Sequence, residues 1–156
     1  MKFLKTSELS KSQKHEILKL WNSEYPEKLG YKNISEFEAY LKHLSGKSYI
    51  MLLDGNQKIM GWYVDFIRDN EKWFVIILDS KYHGLGYGTE LLNMTKEKES
   101  ILNGWVIDHN NDKKRNGEFY KSPLNFYLKN GFKSHSNCRL ELDKISAVKI
   151  KWMKKE

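Results

Sequence analysis

Cysteine is all but missing from this chain: Cys138 is the only one in 156 residues. No intramolecular disulfide can form, and a thiolate zinc cage is excluded, which fits an intracellular protein. No helix-start signal accompanies Cys138, so its expected role is that of a small buried side chain. Proline is scarce as well, with only Pro26 and Pro123 to interrupt regular structure. Long apolar runs are absent. Met1 to Glu8 carries charge at once and lacks a signal core, and no later run approaches the ~18 residues a membrane span needs. Neither secretion nor a membrane partner is expected, and the expected compartment is the cytoplasm. His15, His43, His83, His109 and His135 are dispersed without paired ligand spacing, so no metal is expected. No internal repeat or low-complexity linker interrupts the chain.

What is present suits a single domain over residues 1–156, because a chain of this length buries about two-thirds of its unfolded surface. Hydrophobic residues make up 40%, including five Trp, nine Tyr and seven Phe, enough to offset the entropy of ordering the chain. Lys and Arg number 27 against 20 Asp and Glu, a net charge of +7 that favours anionic partners without naming one. A nucleic-acid module is one reading of that charge together with Trp62, Tyr63 and Trp73. Those aromatics fall within strand patterns and match no single-strand-binding signature, so core packing explains them first and no nucleic acid is expected.

Periodicity divides the chain into elements. Lys2 to Thr6 makes a first strand, and Ser10 or Ser12 caps a helix presenting Ile17, Leu18, Leu20 and Trp21. Pro26 and Gly30 end it. Asn33 or Ser35 opens a second helix carrying Phe37, Tyr40, Leu41 and Leu44, closed by Ser45-Gly46. Ser48 to Leu53, Lys58 to Ile67 and Lys72 to Asp79 form an antiparallel meander around Asp54-Gly-Asn and Arg68-Asp-Asn-Glu. A helix from about Gly86 carries Leu91, Leu92 and Met94, with Ile101 and Leu102 near its end, before Gly104 introduces a strand from Trp105 to Asp108. Strand, helix, strand demands a parallel crossover there. His109 to Lys121 is a polar loop, Ser122-Pro123 starts a short helix, and Asn130-Gly131 stops it. Phe132 to Leu142 and Ala147 to Met153 finish the chain as a hairpin. Trp152 and Ile150 there offer a surface for a homodimer if exposed, or core if not.

Two segments carry chemistry. In His83-Gly-Leu-Gly-Tyr-Gly88, Gly84, Gly86 and Gly88 remove side chains where an apolar strand turns into a helix. Successive backbone N–H groups can then converge on an anion at the helix's positive end, and phosphate binding is the functional reading. A softened strand-to-helix loop is the plain alternative. A Walker-type site is excluded, because Thr89-Glu90 stands where Lys-Ser/Thr would follow. Some forty residues on, Phe126-Tyr-Leu-Lys-Asn-Gly-Phe132 puts an aromatic pair on a short helix whose glycine stop leads directly into a strand.

Together these segments resemble the signatures of the GNAT superfamily of acetyl-CoA-dependent N-acetyltransferases, and the element order resembles it along the whole chain. The first signature reads His83-x-x-Gly86-x-Gly88, with His83 where arginine is commoner in the family. The second reads Phe126-Tyr127-Leu-Lys-Asn-Gly131-Phe132, with Tyr120 and Pro123 where the family often places an asparagine. The resemblance implies a mixed α/β domain. Its twisted, mostly antiparallel sheet would have about seven strands, with one parallel splayed pair and helices on both faces.

It implies acetyl transfer from acetyl-CoA to an amine acceptor, a small molecule or peptide, by direct attack. The amides and side chains of His83, Gly84, Leu85, Gly86, Tyr87, Gly88 and Thr89 would then hold the pyrophosphate. Ile76, Ile77 and Leu78 would pair with the pantetheine arm, and Tyr127 would contact the cofactor and protonate the leaving thiolate. For the base or acceptor contact the candidates are Asp108 and His109, which end one strand of the expected pair, and Asp79, which ends the other. Each has an ordinary reading as a turn former or cap. Tyr120 and Arg115 would line the acceptor entrance. A catalytically inert acyl-CoA sensor of the same fold is the alternative, since fold does not fix activity.

Overall fold

The computed structural model describes residues 1–156. Strand β1 (Lys2–Thr6) leads to helix α1 (Lys11–Glu24), which begins on a reciprocal cap. Ser10 Oγ accepts the Gln13 amide at 3.1 Å and Gln13 Oε1 accepts the Ser10 amide at 2.8 Å. Helix α2 (Ile34–Lys42) begins at Asn33, whose side chain accepts the Glu36 amide at 3.0 Å. Ser45-Gly46 does not close that helix as expected. Both residues open strand β2 (Ser45–Leu53), where a register shift before Ser48 accommodates Gly46 at φ +60°. Strands β3 (Ile59–Arg68) and β4 (Glu71–Leu78) continue the meander through Asp69 and Asn70, both left-handed, as a two-residue hairpin turn requires.

Helix α3 (Tyr87–Lys96) is shorter than its apolar pattern suggests. Ile101 and Leu102 open strand β5 (Ile101–Val106), where they pair with Met153 and Trp152, so the expected strand from Trp105 to Asp108 is displaced toward the N-terminus. Gly104 lies within β5 rather than ahead of it, because the Phe74 ring takes the space a side chain would need: a Cβ there would sit 3.2 Å from Phe74 Cε1. Helix α4 (Leu124–Lys129) and the hairpin of β6 (Lys133–Leu142) and β7 (Ile145–Met153) complete the chain.

The seven strands form one sheet in the order β1-β2-β3-β4-β5-β7-β6, antiparallel throughout except between β4 and β5. That exception positions the site. β3 and β4 stay in register from Arg68↔Glu71 to Gly61↔Leu78, whereas β4 and β5 pair only at Trp73↔Asn103. Beyond that pair the β4 edge facing β5 has no strand partner up to Leu78, and the two strands enclose a wedge. Its closed end is tied down by Asn103, fully buried, whose Nδ2 donates to the Lys72 carbonyl at 3.1 Å.

Helices α1 and α2 cover one face over Trp21, Phe37, Trp62 and Trp73, and α3 and α4 the other over Phe74, Leu91, Leu92 and Tyr127. Trp62, Tyr63 and Trp73 are all core residues, which removes the aromatic half of the nucleic-acid reading. Ile150 is buried and Trp152 half-buried, so Ile150 offers nothing to a second copy. Cys138 corrects the sequence expectation: it is exposed on β6, an edge strand with little core beneath it. No helix is long and apolar enough to cross a membrane.

Candidate functional site

The turn from β4 into α3 is built to leave amides free. Gly84 and Gly86 adopt φ +76° and +89°, the left-handed region that penalises a side chain, and the space where their Cβ atoms would stand is empty. Gly86 caps α3 without a side-chain acceptor. From Gly84 to Thr89 no main-chain N–H donates to any group in the protein; the first amide past the turn to do so is Glu90, bonded to the Gly86 carbonyl at 3.0 Å. A run of unpartnered donors at a helix's positive end can act as a cradle for an anion. His83 does not reach over it: its Nε2 donates to the Leu78 carbonyl at 2.7 Å, turning the ring back onto β4.

Gly88 joins this cradle to α4. A Cβ at Gly88 would lie 2.8 Å from Phe126 Cζ, so only glycine lets the first turn of α3 press against that ring. The next residue is Tyr127. Its ring packs on Phe74 and Phe132, with centroids 5.8 and 5.5 Å away, and its hydroxyl has no hydrogen-bond partner in the protein. Burial, then the neighbouring Tyr120, push its pKa far above the ordinary tyrosine value, so the phenol keeps its proton.

The 109–121 loop is ordered against the end of α1. The Glu27 amide donates to the Lys113 carbonyl at 2.9 Å, Lys28 pairs with Asp112 at 2.8 Å, and Lys114 pairs with Glu24 at 3.7 Å. This docking brings the Tyr120 ring to 6.1 Å from that of Tyr25, the residue capping α1. Burial and the charges of Tyr120 and Tyr127 push the Tyr25 pKa well up, and Tyr120 is raised by burial and by Glu24. Tyr25 packs against the α1-side core and Tyr127 lies in the α4-side core, yet the two are near enough for Tyr127 to contribute to the raised Tyr25 pKa. Glu24 also binds the cradle's approach, accepting from the Ser80 amide at 3.1 Å and the Ser80 hydroxyl at 2.5 Å.

Solved structures share this arrangement of elements at low sequence identity. An aminoglycoside 6'-N-acetyltransferase complexed with coenzyme A superposes with a TM-score of 0.73 at 13% identity, over 98% of this chain and 97% of that one. An acetyltransferase of the GNAT family from Staphylococcus aureus Mu50 gives 0.66 at 17%, over 97% and 99%. A spermidine N-acetyltransferase chimera from Vibrio cholerae and hSSAT gives 0.67 at 17%, over 98% and 96%. The fold is that of the GNAT superfamily. No protein-family model and no curated protein sequence matches the chain.

Within this GNAT fold the acidic candidates are engaged elsewhere. Asp108 receives both ends of the Arg139 guanidinium at 2.8 and 3.0 Å, and that pairing holds its carboxyl below the usual range, the opposite of what a base needs. His109 Nδ1 accepts the Asn111 amide at 3.1 Å and Nε2 lies 3.8 Å from Asp112, so the ring shapes the loop. Asp79 caps the turn below it, accepting the Lys81 amide at 2.9 Å. Arg115 leaves the expected entrance and lies against Gly30, its Nη2 only 3.2 Å from where a Cβ there would be. Glu24 and Tyr25 were missed from sequence. Nothing local marks them, since both acquire their roles from segments 56 and 95 residues away.

Proposed function

We propose that the chain is an N-acetyltransferase that moves an acetyl group from acetyl-CoA to an amine by direct attack, without a covalent enzyme intermediate. The observation that carries the proposal is the unpartnered run of amides from Gly84 to Thr89. Those donors, with the α3 N-terminus, suit a pyrophosphate, and the Thr89 hydroxyl adds a donor beside them. The β4 edge at Ile76, Ile77 and Leu78, which β5 leaves unpaired, suits the two amides of a pantetheine arm, which would join it as an added strand does once the His83 ring releases the Leu78 carbonyl. A structure of the same fold is a coenzyme A complex, which supports coenzyme A as the ligand.

When bound, the thioester supplies the acetyl group. The chain's own task is to hold protons in place. Tyr127 remains protonated at any working pH and can give its proton to the departing sulfur. The attacking amine must be neutral. With Asp108 and His109 occupied, the carboxylate that takes its proton is Glu24, whose charge reaches the Tyr120 hydroxyl beside Tyr25. Calorimetry with coenzyme A, followed by thiol release over a panel of amines, tests the reading. Heat of binding together with turnover is expected. Binding without turnover of any amine assigns the inert sensor instead, and no binding by folded protein overturns both.

A further inference from the structure

The α1 face of the sheet gathers positive charge around one indole at the closed end of the wedge. The Arg68 guanidinium carbon lies 5.4 Å from the Trp73 ring centroid and the Lys149 ammonium also 5.4 Å, while Trp105 packs on Trp73 at 5.5 Å. Neither Arg68 nor Lys149 makes an ion pair, although most other cations near the cleft do. Trp73 Nε1 is buried with no acceptor. Tyr40 of α2 stands close enough to Arg68 for its hydroxyl to feel that charge. Glu71, opposite Arg68 in the β3–β4 register, is already committed to Lys151, which it receives at 3.1 and 3.3 Å. Around the wedge Glu24, Asp108 and Asp112 likewise face Lys114, Arg139 and Lys28.

Arg68 is exposed and Lys149 half-buried, so water solvates both; what sets them apart is that neither has a carboxylate partner and that the neighbouring Trp73 N–H lacks an acceptor, which leaves donors on one patch for an anion. A polycation would meet two cations without ion-pair partners here. We propose that the acceptor is an amine bearing an anionic group, a carboxylate or phosphonate, which Arg68, Lys149 and Trp73 Nε1–H bind while the amine extends along Trp105 into the wedge. This rests on the acetyltransferase reading above and narrows its acceptor.

The test compares α- and ω-amino acids and aminoalkylphosphonates with the amides of the same amino acids and with spermidine, by thiol release at saturating acetyl-CoA. The acids should be turned over with KM roughly 10- to 100-fold below that of their amides, the range a charge-assisted contact commands. Arg68→Gln and Lys149→Gln should each raise that KM with little change in kcat or in coenzyme A affinity, and Arg68→Lys should recover part of it. Equal use of acids and amides, preference for spermidine, unchanged KM in both variants, or no turnover of either series by protein that binds coenzyme A, overturns the proposal. Loss of coenzyme A binding in the wild type would instead overturn the reading beneath it.

Discussion

Replacing Tyr127 by phenylalanine separates a catalytic hydroxyl from a structural one. The ring is fixed by Phe74, Phe126 and Phe132 at 5.8, 5.1 and 5.5 Å, and phenylalanine keeps all of those contacts. The hydroxyl has no partner in the protein, and the residue is only 6% exposed. A hydroxyl buried without a hydrogen bond costs about 1–3 kcal/mol in proteins. The small remaining exposure offsets much of that, so the variant should gain between zero and about 1 kcal/mol, a Tm rise of up to about 4 °C for a chain of this size. Removing a positioned general acid costs about 10²- to 10⁴-fold in rate. Thermal unfolding and thiol release on the same sample should show stability level or higher with kcat lower by that factor. A stability loss beyond about 1 kcal/mol would mean the hydroxyl has a structural role. A kcat within about threefold of wild type would remove the acid assignment.

Gly86→Ala forces a side chain into φ +89° at a cost of about 1–2 kcal/mol, which thermal unfolding should show together with weaker coenzyme A binding by calorimetry. Gly88→Ala is strained differently, by Phe126 Cζ at 2.8 Å, and should shift α4 and lower kcat more than coenzyme A affinity; equal losses in both would contradict the coupling between turn and tyrosine. Arg139 depresses the carboxyl pKa of Asp108 and Glu141, so its stabilisation is present above about pH 4 and is lost as pH falls through the depressed values. Unfolding of Arg139→Gln should therefore differ from wild type near neutrality and converge with it on acidification, and a gap independent of pH would refute the pairing.

Local signals were legible where the physics is local. Of the two candidates offered at each start, Ser10 rather than Ser12 and Asn33 rather than Ser35 cap the first two helices, and the Asp69-Asn70 turn follows from two residues that tolerate the left-handed region. The same reading extended α3 through Ile101 and Leu102, since apolar residues at helical spacing look alike whether they finish a helix or begin a buried strand. Their membership of β5 is decided by Met153 and Trp152, some fifty residues downstream. Gly104 misled for a related reason. It reads as punctuation in one dimension, whereas in three it makes room for Phe74.

The site divides along the same line. The glycine turn and the Phe126-Tyr127 pair each occupy a few consecutive residues, so composition alone displayed them. What joins them is a contact, the close approach of Gly88 to Phe126, that neither segment shows by itself. The acceptor side is less legible still. Glu24 and Tyr25 face the wedge because α1 stops there, Tyr120 because a loop docks by main-chain bonds and two ion pairs, and Arg68 and Lys149 because four strands align them around Trp73. The proposed cradle depends on backbone amides and tolerates almost any neighbouring side chain, while the proposed acceptor walls are side chains drawn from five elements. Sequence drift can rewrite those walls without disturbing the cradle, so donor chemistry stays readable in a short motif and acceptor choice does not.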